Sequence, residues 1–243
     1  MKNIIIYDFD GTLTTNSLPR FEILERSGVK NGLANLKFIK QVIEKSKNKK
    51  IDYYQAVYET YFELIKNAGY SLTDKNLVIG YNKIEYNNGV LDLLDMLSKN
   101  DINNYLLSSG IKVFLEKTYI APYFKDIYAT TFTYNENKEV TGVDFLMSDK
   151  NKVLAIKDIL KKNGYSIDDC SNVIYVGDGL TDYYAMKYVK EHNGTSILVY
   201  NNQNSKELIS SKQRSVVNIY SDTDFTQNGD LNRQIKSLCK IKN

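Results

Sequence analysis

The run Ile4-Ile5-Ile6-Tyr7 stops at Asp8-Phe9-Asp10-Gly11-Thr12, and this junction constrains the fold more than any other stretch. A short apolar run bounded by a turn signal predicts a fully buried strand. Two carboxylates one residue apart follow it, and Gly11 lets the backbone turn sharply. Asp8 and Asp10 therefore fall just past a strand's carboxyl end, where open α/β sheets form their ligand crevices. Two anions held that close call for a cation or for proton chemistry.

Three further apolar runs, at 105–107, 173–176 and 197–200, predict strands able to lie parallel to the first. Helical periodicity alternates with them over Val90–Lys99, 113–119, 153–162 and 182–190. This rhythm predicts an α/β fold, a doubly wound, mostly parallel Rossmann-like sheet. Residues 132–134, a polar 135–138 and then Val140–Phe145 predict a hairpin projecting from it. After residue 200 come a polar loop from Asn201, a short strand at 216–220 and a terminal helix.

From Ser17 to Asn87 the rhythm is different. Leu33, Leu36, Ile39, Val42 and Ile43 recur at helical spacing, as do Tyr54, Val57, Tyr58, Tyr61, Phe62 and Ile65. We expect a helical domain at 17–87, inserted over the crevice of a core built from 1–16 and 88–243. The aromatic stripe reads as packing between its helices.

Bulk properties exclude several classes of function. Lys and Arg number 32 against 29 Asp and Glu, a formal charge of +3, so nothing favours nucleic acid or a membrane surface. The lysine-rich stretch 45–50 has no interleaved aromatics and is expected to be a solvated loop. No apolar run approaches a membrane span. Cys170 and Cys239 are far apart and form no disulfide framework, so a cytoplasmic location is expected.

The second informative segment is Val176-Gly177-Asp178-Gly179-Leu180-Thr181-Asp182, again carboxylates at the end of an apolar run. Leu106-Leu107-Ser108-Ser109-Gly110 ends another strand with hydroxyls and a glycine, and Ser148-Asp149-Lys150 precedes a helix. On a parallel sheet these segments converge on one edge. Carboxylates suit a hard cation; hydroxyl, backbone N–H and ammonium suit an anion such as phosphate. A calcium loop of the EF-hand type fails, because Leu13 and Pro19 stand where that loop needs Gly and Glu. A dinucleotide loop fails too, because Asp178 and Asp182 would face the pyrophosphate. His192, the only histidine, reads as a surface residue at a helix end.

In order and spacing, Asp8–Thr12, Ser108, Lys150 and Gly177–Asp182 resemble the four motifs of the haloacid dehalogenase-like superfamily, in its phosphoserine phosphatase-like branch with a helical cap. The resemblance implies a Mg²⁺-dependent phosphatase acting on a small phosphorylated metabolite through an aspartyl-phosphate. By that resemblance Asp8 is the nucleophile and Asp10 the acid/base. Mg²⁺ is held by the Asp8 carboxylate, the Asp10 backbone carbonyl and Asp178. Ser108, the Ser109 N–H and Lys150 bind the phosphoryl group, with Lys152 the alternative to Lys150. Asp182, with Thr181, supports the ligands from behind. Gly11, Gly110, Gly177 and Gly179 shape the backbone of the phosphate loops. Phosphoserine phosphatases carry Glu at the position of Ser17 and Asn at that of Thr181, so the resemblance leaves the substrate open. It also leaves room for a phosphomutase or phosphotransferase, or for an inactive phosphate-binding scaffold. A monomer or small homo-oligomer is expected.

Overall fold

Strand β1 (Ile4–Tyr7) is wholly buried and lies inside a seven-stranded sheet. The computed structural model describes residues 2–15, 33–69, 71–78, 81–179, 181–200 and 210–241, with backbone only at 33–37 and 212. The other strands are β2 (Asn103–Ile111), β3 (Asp126–Tyr134), β4 (Val140–Phe145), β5 (Val173–Gly177), β6 (Thr195–Tyr200) and β7 (Ile219–Asp222). Their order is β4-β3-β2-β1-β5-β6-β7. All neighbours pair parallel except β3 and β4, which form the antiparallel hairpin at one edge.

Helices cover both faces because successive strand residues point to opposite sides. Ile5, Tyr7, Leu106, Val176 and Ile197 pack against α4 (Val90–Lys99) and α9 (Asp230–Leu238). Ile4, Ile6, Leu107, Tyr175 and Leu198 pack on the other face against α6 (Asn151–Lys162) and α7 (Tyr183–Glu191). This is the expected doubly wound α/β architecture. The helix expected at 113–119 is only α5 (Lys112–Leu115): the Thr118 hydroxyl takes up the Leu115 carbonyl at 2.7 Å. One short helix, α8 (Ser211–Arg214), precedes β7.

The described residues from 33 to 77 carry three helices: α1 (Leu33–Lys49), α2 (Tyr53–Asn67) and α3 (Asp74–Leu77). These helices form a third apolar cluster with the hairpin, in which Phe38, Val42, Val57, Tyr61 and Ile65 gather around Phe132. Phe132 meets Tyr58 and Phe62 edge-on, at centroid distances of 5.2 and 5.3 Å. The buried face of α1 is Phe38 and Val42, whereas Ile39 and Ile43 are exposed. The lysine-rich stretch is not a loop. It closes the last turn of α1, where Lys45 and Lys49 pair with Glu63 and Glu59 of α2. Outgoing and returning chains run side by side, with Thr14 bridged to Tyr86 and the Thr15 N–H donating to the Glu85 carbonyl at 2.9 Å. Ser17, Leu180 and the loop from Asn201 lie outside the described residues, as do the side chains of Leu33 and Leu36. Among the described residues no helix is long and apolar enough to cross a membrane.

Candidate active site

β1 is the switch point of the sheet, with later strands added on both sides of it. The register Tyr7↔Leu106 and Tyr7↔Val176 sets Asp8 level with Leu107 and Gly177. Ser108 and Asp178 thus stand one residue further out on the two neighbouring strands. Parallel pairing alone brings these motifs to one sheet edge.

Asp8 is buried, and its backbone N–H donates to the Val176 carbonyl at 2.9 Å. The turn beyond it is anchored by Phe9 and Leu13, both wholly buried in the core. Asn87 ties this turn to the returning chain, its amide donating to the Thr12 carbonyl at 2.7 Å. Gly11 has φ +74°, and a Cβ there would meet Asp178 Oδ2 at 2.8 Å. Any side chain at 11 would therefore push into the space that Asp178 occupies.

Asp8, Asp178 and Asp182 each offer a carboxylate oxygen, and these atoms all lie within 4.8 Å of one another. The side chain between Asp8 and Asp182 is Lys152. Its Nζ donates to Asp8 Oδ1 at 2.8 Å and to Asp182 Oδ1 at 2.6 Å, and approaches Thr181 Oγ1 at 3.5 Å. Lys152 is 0% exposed, whereas Lys150 is exposed at the helix start. The lysine expected at 150 is thus corrected to Lys152, two residues on and roughly 200° around the helix. Lys152 is in phase with Ala155, Ile156, Ile159 and Leu160, the buried face of α6. That phase was the signal available in the sequence.

Tyr175 was not anticipated. It is wholly buried, and its hydroxyl donates to Asp182 Oδ1 at 2.6 Å. The Gly179 N–H donates to Asp182 Oδ2 at 3.2 Å, so both oxygens of Asp182 are occupied by protein donors. Gly177 makes room for this carboxylate, since a Cβ there would meet Asp182 Oδ2 at 2.3 Å. Burial pushes the Tyr175 hydroxyl well above its usual range, with Asp182 adding to the effect, so it remains a donor.

Burial also drives the Asp8 carboxyl well above its ordinary range, reinforced by Asp182 and Asp178 and opposed by Lys152. For Lys152 burial disfavours the ammonium, but Asp182 and Asp8 outweigh it and hold the lysine firmly charged. Asp8 and Asp182 share the single Lys152 ammonium, so this buried group carries more negative than positive charge. At an effective dielectric near 20, each carboxylate pair at such separations repels by about 3.5 kcal/mol. Clustered hard oxygen donors with a charge deficit fit a divalent cation such as Mg²⁺.

On the other side of Asp8, Ser108 is buried and its Oγ accepts from the Gly110 N–H at 3.0 Å. With that lone pair engaged, the Ser108 hydroxyl proton is left to donate elsewhere. Ser109, Asp10 and Asp178 are half-buried, and the Asp10 carboxylate is not part of the three-oxygen cluster.

A wound sheet whose switch point carries Asp8, with Lys152 and two further carboxylates closing around it, defines a class of hydrolase. The chain belongs to the haloacid dehalogenase-like hydrolase family, whose model matches residues 5–187. Among solved structures it is similar to a substrate-bound phosphoserine phosphatase complex, at 18% identity and a TM-score of 0.65, over 98% of each chain. It is also similar to a haloacid dehalogenase family hydrolase from Salmonella enterica serovar Typhi, at 17% identity and a TM-score of 0.66, covering 99% of this chain and 72% of that one. A predicted phosphatase from Clostridium acetobutylicum matches at 16% identity and a TM-score of 0.57, covering 99% and 100%. At these identities the likeness is one of fold. No curated protein matches the chain.

Proposed function

We propose that the protein is a Mg²⁺-dependent phosphomonoesterase that hydrolyses a small phosphorylated metabolite through a phosphoryl group carried on Asp8. The observation that carries this reading is the buried Asp8 carboxylate, fixed by Lys152 at 2.8 Å and grouped with oxygens of Asp178 and Asp182. Asp8 and Asp178, with the Asp10 backbone carbonyl, would hold the metal. When bound, Mg²⁺ offsets the repulsion between an anionic nucleophile and an anionic substrate and keeps Asp8 ionised.

The chain's own residues account for the remaining chemistry. An Asp8 oxygen attacks phosphorus, the P–O bond to the leaving group breaks, and Asp10 gives its proton to the departing oxygen. Asp10 then takes a proton from water, whose oxygen attacks the same phosphorus. The bond between phosphorus and the Asp8 oxygen breaks, and the carboxylate is restored. Ser108, the Ser109 N–H and Lys152 balance charge on the phosphoryl oxygens, while Tyr175 and Gly179 fix Asp182, which in turn aims Lys152.

The helical segment formed by α1 to α3 acts in this reading as a cap that excludes water and contacts the leaving group. The test is release of inorganic phosphate from a panel of phosphorylated metabolites with Mg²⁺ present. We expect turnover by the wild type and none by Asp8→Asn at unchanged circular dichroism. Activity retained in that variant would refute the nucleophile assignment.

A further inference from the structure

The helical segment touches the site at a particular peptide bond. Tyr58 of α2 is buried, and its hydroxyl donates to the Ser109 carbonyl at 2.9 Å. That carbonyl and the Gly110 N–H belong to one planar trans peptide unit, whose two polar groups point in opposite directions. The Gly110 N–H is the donor that engages Ser108 Oγ at 3.0 Å. An unbroken chain therefore runs from the Tyr58 hydroxyl through the Ser109–Gly110 peptide to the Ser108 hydroxyl. A bond to the carbonyl polarises the peptide and strengthens its N–H as a donor.

The same carbonyl takes a second bond, from the hydroxyl of wholly buried Thr130 at 3.3 Å. Thr130 Oγ1 also accepts from the Met147 N–H at 3.2 Å, at the entry to the loop that leads to Lys152. One turn before Tyr58, the Tyr54 hydroxyl bonds to the Asp149 carboxylate in that loop. Residues i and i+4 lie on one helix face, so a single face of α2 grips both loops. The carboxylate side is held differently. The Asp8 carboxylate accepts from Lys152, and the Asp182 carboxylate from Lys152, the Tyr175 hydroxyl and the Gly179 N–H, none of which is in the helical segment.

We propose that Tyr58 is a positioning residue: seated on the core, α2 sets the Ser109–Gly110 peptide and so aims the Ser108 hydroxyl at the phosphoryl group. This rests on the phosphatase reading above. The Tyr58 bond thereby couples the seating of α2 to phosphoryl binding.

Tyr58→Phe is the test, because it removes the donor and keeps the ring against Phe132. Three quantities are read on wild type and variant: the inhibition constant of inorganic phosphate, KM against kcat for an aryl phosphate, and Mg²⁺ affinity by calorimetry. We expect phosphate inhibition and KM to weaken by about five- to tenfold, with Mg²⁺ affinity unchanged and a further loss on adding Thr130→Val. Loss of exchange protection at the Gly110 amide, read by NMR in the metal-free protein, is expected independently of turnover. An active wild type with an indistinguishable Tyr58→Phe overturns this inference alone. So does a variant in which phosphate and Mg²⁺ binding fall together. A wild type that binds no phosphate overturns the phosphatase reading and this inference with it.

Discussion

Lys152 illustrates how a single side chain decides whether the site exists. It is a wholly buried ammonium on an otherwise apolar helix face, made tolerable by its pairing with Asp8 and Asp182. Removing one partner of a buried ion pair strands the others and costs about 3–5 kcal/mol. Lys152→Met is therefore expected to lower stability by that amount in urea unfolding and to abolish phosphate release, whereas Lys150→Ala leaves both within error. Equal effects of the two substitutions would contradict the placement. The carboxylates were legible in the sequence because an apolar run ending in Asp-x-Asp or Gly-Asp-Gly announces its own position on a sheet. The lysine was legible only through helical phase: 152 falls in step with 155, 156, 159 and 160, and 150 does not. Tyr175 carried no such signal, because an aromatic residue in a buried strand reads as core until the loop beyond it folds back.

Elements place the site through register. Parallel pairing of β1 with β2 and β5 aligns three chain segments far apart in sequence, and small residues then let the loops close. Gly177 is the tightest case, with Asp182 Oδ2 only 2.3 Å from where a Cβ would stand. Gly177→Ala should leave β5 paired but displace Asp182, costing about 1–3 kcal/mol of stability and lowering kcat by at least tenfold. Wild-type kinetics in that variant would show that Asp182 need not sit where it does. The strands around the site were readable as unbroken apolar runs. β3 was only half readable: its first part, Asp126 to Thr131, mixes polar and apolar residues, and nothing local reveals that it pairs parallel with β2 before turning into the hairpin. The expected face of α1 held at Val42, but Ile39 and Ile43 are exposed and Phe38 is buried, a choice that only the neighbouring α2 and hairpin make.

At the scale of the whole molecule, a doubly wound sheet carries the carboxylate cluster while a separate apolar cluster seats the helical segment on the hairpin. The layering followed from the alternation of strand and helix patterns, but where the helical segment sits did not, because its contacts with Phe132, Ser109 and Asp149 join residues tens of positions apart. A ligand that binds only the folded state stabilises it, by about 2.7 kcal/mol at a hundredfold excess over its dissociation constant. Mg²⁺ is accordingly expected to raise the melting temperature of the wild type, a chelator to reverse the rise, and Asp178→Asn to abolish it. An equal rise in that variant would move the metal elsewhere. The central claim, that Asp8 carries the phosphoryl group, is tested most directly by acid-quenching the enzyme during turnover and mapping the phosphorylated peptide by mass spectrometry. The account predicts a phosphoryl group on Asp8, lost on exposure to base. Phosphate release with the label on another residue, or with no labelled peptide under conditions that preserve acyl phosphates, would contradict it.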